Sequence, residues 1–225
     1  MPGKIAFLHT VPSLVSVFNE LARALLPDYV SFHIVDEMLL NLARSEGRLV
    51  PFHYRRVADH VAAAEFVGAD AVQVTCSSIS PCVDGARLMT RIPVLKIDEA
   101  MVDQALALGT RIGVAATLSS TLEPTKNLVN SRAQGAGKSV QIDAVLCDGA
   151  FAALARGDLA RHDQIVKERL QDLVARNDIV ILAQASMARV ADQIPRGERQ
   201  VLVLSSPRLA VTRLKSVLQQ TELKS

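Results

Sequence analysis

Asp70-Ala71-Val72-Gln73-Val74-Thr75-Cys76-Ser77-Ser78-Ile79-Ser80-Pro81 reads as an apolar, β-branched strand that stops at a cysteine. Two serines and a proline follow, and the pattern predicts a helix start there, because serine is a favoured N-cap and proline suits the first helical position. The first turn of a helix leaves backbone N–H groups unpaired. Those groups and the helix dipole stabilise an anion, so the stretch predicts a Cys76 thiolate at the mouth of a parallel sheet.

Outward from this stretch the chain alternates strand and helix. Lys4–Thr10 (KIAFLHT) is an apolar strand, and Leu14, Val15, Phe18, Leu21, Ala22 and Leu25 then recur at helical spacing until Pro27. Ser31–Glu37 reads as a second strand, Met38–Arg44 as a short helix and Phe52–Val67 as a longer one. The Cys76 strand follows, then a helix to Arg91 and a strand Pro93–Ile97 (PVLKI). Here the pattern starts again. Arg111–Thr117 (RIGVAAT) resembles KIAFLHT, and Asp178–Ser186 (DIVILAQAS) resembles DAVQVTCSS. Val201–Ser205 (VLVLS) resembles PVLKI, and Gln141–Cys147 fills the place of the second strand. The offsets from Lys4 to Arg111, from Asp70 to Asp178 and from Pro93 to Val201 are nearly equal. Self-similarity at a fixed period marks repeated architecture.

The expected fold is therefore α/β: two similar lobes with parallel sheets, related by internal duplication about a pseudo-two-fold axis. Residues 1–98 with 206–225 form the first lobe, whose C-terminal helix (Arg208–Gln220) packs back on it, and residues 99–205 form the second. Ligands bind outside the carboxyl ends of parallel strands. An active cleft is expected between the lobes, with Thr10 and Cys76 on one wall and Thr117 and the Gln184–Ser186 turn on the other.

Composition narrows the function. The chain has 225 residues, 49% hydrophobic but only 4% aromatic, with no Trp, so its core is aliphatic. A net charge of +2 without a Lys/Arg-rich run, and without stacking aromatics, argues against nucleic-acid binding. Three cysteines at 76, 82 and 147 match neither a disulfide framework nor a zinc pattern, and no metal is expected. Met1-Pro2-Gly3-Lys4 leads into an apolar run that His9 and Pro12 interrupt too soon for a signal peptide, and no stretch suits a membrane. The expectation is a cytoplasmic protein.

Cys76 is the first candidate for chemistry, whereas Cys82 and Cys147 read as buried structural thiols. Hydroxyls at Ser77, Ser78, Thr117, Ser119, Ser120 and Ser186 fall at or just after strand ends, where N-caps also present donors to an anion. A small carboxylate-bearing substrate is the natural guest. His9, at the end of the first strand, could serve as a proton shuttle. Asp36 and Glu37 could take an amine or a cation, and an arginine in His53-Tyr54-Arg55-Arg56 could dock a distal carboxylate. His33, His60 and His162 receive no role, the last two reading as helix surface. Gly135-Ala136-Gly137-Lys138-Ser139 ends like a phosphate-binding loop, but Arg132 stands where the motif needs glycine and a strand follows instead of a helix. Gly-x-Gly-x-x-Gly is absent after the first strand.

With VTCSS at Val74–Ser78, GTRIGVAAT at Gly109–Thr117 followed by LSST, and LAQASM at Leu182–Met187, the chain resembles the aspartate/glutamate racemase superfamily. Hydantoin racemases, maleate isomerases and arylmalonate decarboxylases belong to that superfamily, and the likeness covers nearly the whole chain. It implies the two-lobed duplicated fold, catalysis without metal or organic cofactor, and a homodimer or higher homo-oligomer. It also implies a cysteine at each of two corresponding strand ends, one thiolate removing the α-proton and the other thiol returning a proton on the opposite face. Cys76 matches the first. The second should fall near Ala185-Ser186, where a Cys-Thr pair is usual, and Ala185 occupies the expected place.

An unactivated Ser186 hydroxyl cannot replace a thiol as base. The expected activity is a cofactor-independent racemase or isomerase using Cys76, with Ser186 and His9 in the catalytic set. Thr10, Ser77, Ser78, Thr117, Ser119, Ser120 and Ala185 line the substrate. The alternatives are a single-cysteine decarboxylase of substituted malonates and a non-catalytic small-acid-binding protein.

Overall fold

The computed structural model describes residues 2–191, 193–194 and 201–223, so residues 1, 224 and 225 of the expected first lobe and 192 and 195–200 of the expected second lie outside the described residues. In the first half the elements are β1 (Gly3–His9), α1 (Leu14–Leu25), β2 (Tyr29–Val35), α2 (Glu37–Glu46), α3 (Pro51–Phe66) and β3 (Ala71–Val74). A single 3-10 turn at Ser77–Ile79, α4 (Cys82–Arg87) and β4 (Val94–Lys96) follow. The second half has α5 (Glu99–Leu108), β5 (Arg111–Ala116), α6 (Ser119–Gly135), β6 (Gln141–Leu146), α7 (Ala150–Ala155), α8 (Leu159–Arg176) and β7 (Ile179–Leu182). It ends with a 3-10 turn at Ala185–Met187, α9 (Ala188–Ala191), β8 (Leu202–Ser205) and α10 (Ser206–Glu222).

All strand pairs are parallel, in two four-stranded sheets ordered β2-β1-β3-β4 and β6-β5-β7-β8. The two orders are the same, as internal duplication requires. The chain divides into two compact units, Met1–Ile97 with Pro207–Ser225, and Asp98–Ser206.

Central strands β1 and β3 read as continuous apolar runs because helices cover both faces of such sheets. In β1, Ile5, Ala6, Phe7 and Leu8 are all fully buried. Helix α1 places Leu14, Phe18 and Ala22 on one face at four-residue spacing, and the Phe18 ring lies 5.3 Å from that of Phe7. In β5, Gly113 lets the strand pack closely: a Cβ there would come within 3.1 Å of Val180 Cγ2 and 3.2 Å of Asn177 Nδ2. The duplication reaches the polar details. Asp70 Oδ2 accepts from Lys4 N at 2.6 Å at the start of β1, and Asp178 Oδ2 accepts from Arg111 N at 2.9 Å at the start of β5.

Several local expectations are corrected. The helix after Cys76 is interrupted: Pro81 lacks the N–H that would continue the ladder, so the 3-10 turn ends and α4 starts at Cys82. That helix stops at Arg87, whose Nε donates to Val94 O at 2.7 Å, well short of Arg91. Strand β2 begins two residues earlier than expected, because β1 pairs Gly3 with Tyr29 and His9 with Val35. His162 is fully buried, not on a helix surface, and so is His53 at the start of α3. Among the described residues no helix is long and apolar enough to cross a membrane.

Candidate active site

In the first unit the register of β1 and β3 brings two strand ends together. Thr75 N–H donates to Leu8 O at 2.9 Å and the Thr75 hydroxyl donates to the same oxygen at 3.0 Å. Thr10 and Cys76 therefore leave adjacent strands side by side. Cys76 is extended (φ −129°, ψ 116°) and precedes the Ser77–Ile79 turn, whose Ile79 N–H donates to Cys76 O at 3.3 Å.

Donors gather near that sulfur, where they favour its charged form: the Thr10 hydroxyl, the backbone N–H of Ser78 and of Ile79, and the Ser78 hydroxyl. Thr10 is buried, and its Oγ1 has no hydrogen-bond partner among the described residues, so its hydroxyl is free to turn toward charge on the sulfur. Ser77 and Ser78 are buried beside it. Cys76 itself keeps partial exposure while packing against the core of its unit. Burial nevertheless outweighs the donors, and it pushes the Cys76 thiol above its ordinary range. The expected resting thiolate is thus corrected: Cys76 rests as a thiol among donors ready to receive negative charge.

The other thiols are poorer candidates. Cys82 and Cys147 are fully buried, and burial pushes them up to about 12 and about 11. Cys147 closes β6 with its N–H on Ala116 O at 2.7 Å.

His9 leaves the catalytic set. It is fully buried, its Nδ1 lies 2.8 Å from Thr75 Oγ1, and its Nε2 lies 2.8 Å from His33 Nδ1. Its ring packs among those of Phe7, Phe18 and His33. Burial first, and then the neighbouring His33, hold its pKa down at about 3. Such a histidine is a neutral core residue, not a shuttle. Asp36 is no cation site either, since its Oδ2 already takes Arg56 Nε at 2.7 Å and His60 Nε2 at 2.8 Å. The same pair occupies Arg56, which the sequence offered for a distal carboxylate.

The second unit repeats the construction with different chemistry. Ala183 N–H donates to Ala115 O at 2.9 Å, as Thr75 does to Leu8, so Thr117 and Gln184 stand where Thr10 and Cys76 stand. Gln184 is extended (φ −127°, ψ 137°) and precedes the Ala185–Met187 turn. The residue matching Cys76 is therefore Gln184, and Ala185 matches Ser77; the placement at Ala185 is one residue late. The offset that carries Asp70 onto Asp178 also carries Cys76 onto Gln184, so the signal is present in the sequence.

Thr117 aims both its donors at Gln184 Oε1, the N–H at 2.5 Å and the hydroxyl at 3.0 Å. Thr117 is buried. Ala185 and Ser186 are half-buried in the following turn. Ser119 is exposed and Ser120 half-buried in the first turn of α6, which is preceded by Leu118 and has no side-chain cap. Among the described residues no group of three or more His, Cys, Asp or Glu side chains could hold a metal ion.

Comparison with known proteins agrees with this fold. The family model for Asp/Glu/Hydantoin racemase matches residues 9–214. Among solved structures, the chain superposes on a glutamate racemase of Bacillus anthracis with a TM-score of 0.73 at 18% identity, covering 97% of this chain and 82% of that one. An allantoin racemase of Klebsiella pneumoniae gives a TM-score of 0.71 at 20% identity, over 97% of this chain and 89% of that one. An aspartate racemase of Picrophilus torridus gives 0.71 at 13% identity, over 95% and 94%. At these identities the structural likeness shows the fold. The search of curated proteins returned no match.

Proposed function

The chain belongs to the Asp/Glu/Hydantoin racemase family, and from that premise we propose that it is a cofactor-independent racemase or isomerase that moves a proton at the carbon next to a carboxylate through the thiol of Cys76. The observation that carries this reading is that donors from Thr10, Ser78 and Ile79 favour charge on the one cysteine that is not fully buried. A carbanion beside a carboxylate spreads into an enediolate, so the step needs an acid at carbon and prearranged donors for the charge. The S–H bond of Cys76 breaks as the C–H bond forms, and the negative charge passes to sulfur, where the four donors receive it. The reverse step, from the thiolate, removes the α-proton to form S–H; a water then protonates the opposite face of the enediolate, and the hydroxide it leaves takes the proton of the Cys76 thiol. The three free cysteines support the cytoplasm as its location.

A second reading is favoured by one observation. Gln184 stands at the position matching Cys76, and an amide carries no transferable acid proton at neutral pH. A single thiol suits decarboxylation of a substituted malonate, in which loss of carbon dioxide leaves an enediolate that Cys76 protonates once.

Incubation in deuterated water with glutamate, aspartate, allantoin, hydantoins, maleate and substituted malonates separates these readings. Deuterium at the α-carbon with loss of optical purity supports racemisation. Release of carbon dioxide with a deuterated product of one hand supports decarboxylation. Binding of these acids without exchange or turnover would overturn the enzymatic reading and leave an acid-binding protein.

A further inference from the structure

We infer that Gln184 is a fixed hydrogen-bond donor for a substrate oxygen, and that Thr117 is the positioning residue that fixes it; this rests on the proposed carboxylate substrate. The orientation of a glutamine amide is settled by its partners. A backbone N–H can only donate, so the Thr117 N–H forces Oε1 to be the atom facing it, and the Thr117 hydroxyl donates to the same oxygen. Nε2 must then point away from Thr117 with two N–H donors. No described residue accepts from it, and Gln184 is half-buried. A half-buried amide held at one end by Thr117 presents the N–H donors at its other end, in a fixed direction, to an oxygen acceptor.

The chemistry of that acceptor follows from what surrounds it. Gln184 offers neutral donors next to the uncapped start of the 17-residue helix α6, a place that favours a partial or full negative charge. The ligand group is therefore a carboxylate or an imide-type carbonyl oxygen. The corresponding place in the first unit carries Cys76, with the equivalent Thr10 hydroxyl buried nearby and unpartnered. The duplicated frame thus keeps the threonine and changes its client from a group that exchanges protons to one that holds an oxygen without exchanging any.

The test uses the full chain, 15N-labelled, with malonate, L-aspartate, L-glutamate and hydantoin as probes. The Gln184 side-chain amide pair is assigned by its loss in Gln184→Met. At least one probe should shift that pair, and Gln184→Met should weaken its binding about tenfold or more, the effect expected when a hydrogen bond to a charged group is lost. Gln184→Glu keeps an acceptor for Thr117 but replaces the donor with a negative oxygen, and should weaken the same probe further. Thr117→Val should weaken it several-fold (about 1 kcal/mol of orientation), and Thr117→Ser should restore it, which a purely structural threonine would not predict. An amide pair that no probe moves overturns the inference. So does a probe that protects Cys76 from iodoacetamide yet binds both Gln184 variants as tightly as the natural chain, and in that case the Cys76 reading stands alone. Conversely, a shifted pair with weakened binding in the variants, but no deuterium exchange with any probe, upholds Gln184 and removes the proposed reaction.

Discussion

Raising the pH from 7 to 9 should speed alkylation of Cys76 by iodoacetamide about tenfold per unit, without a plateau. The thiolate is the nucleophile, and below its pKa the ionised fraction of a thiol grows tenfold for each pH unit. Burial lifts the Cys76 pKa above the ordinary range despite the donors from Thr10, Ser78 and Ile79, so the whole interval lies on the rising limb. The two buried thiols set the background. At pH 8, pKa values of about 12 for Cys82 and about 11 for Cys147 leave roughly one part in 10⁴ and one part in 10³ ionised. Both are also closed to the reagent, so native protein should carry the label on Cys76 alone. Peptide mapping by mass spectrometry after timed labelling reads all three rates, with labelling in denaturant as the control in which they converge. Thr10→Val removes the hydroxyl free to turn toward the Cys76 thiolate and should slow Cys76 further, by about tenfold for one hydrogen bond to a charged group. A plateau below pH 8 would mean that Cys76 rests as thiolate. Equal labelling of the three native thiols would refute the geometry.

Two further outcomes follow from the packing around β1. Phe18, fully buried against Phe7 and His9, should cost about 3–5 kcal/mol as Phe18→Ala, read as a lower urea midpoint. His9 is held neutral with a pKa of about 3, against 6.5 for a solvated imidazole, so the unfolded chain binds the extra proton first. The stability this contributes is complete above pH 6.5 and is lost as pH falls toward 3. The urea midpoint should therefore decline between pH 6.5 and 4 and decline less in His9→Leu, whereas equal slopes in the two proteins would contradict the burial account.

Much of the fold can be read from the chain, because hydrophobic periodicity and a repeat of nearly constant offset are local and additive signals. The strands KIAFLHT and RIGVAAT fall on β1 and β5, and DAVQVT and DIVILA contain β3 and β7. What is not legible depends on contacts far apart in sequence. His9 and His33 are 24 residues apart, and only the parallel register of β1 with β2 makes them stack. Asp36 looks free in the sequence but meets Arg56 and His60, one helical turn apart on α3. The local cue for a Cys76 thiolate, the donors after the strand, is present; the opposing desolvation comes from the packed core and has no signature in VTCSS. Gln184 likewise carries no cue of its own in LAQASM, where the missing thiol is the more visible feature. Its amide takes its meaning from Thr117, 67 residues earlier.

The central claim is that the sulfur of Cys76 carries the proton to and from a carbon next to a carboxylate. Its most direct test is solvent-deuterium incorporation at that carbon, measured by mass spectrometry for the natural chain, Cys76→Ala and Cys82→Ala on the same panel of acids. The account predicts exchange on at least one acid in the natural chain and in Cys82→Ala, and none above the uncatalysed rate in Cys76→Ala. Undiminished exchange in folded Cys76→Ala would contradict it.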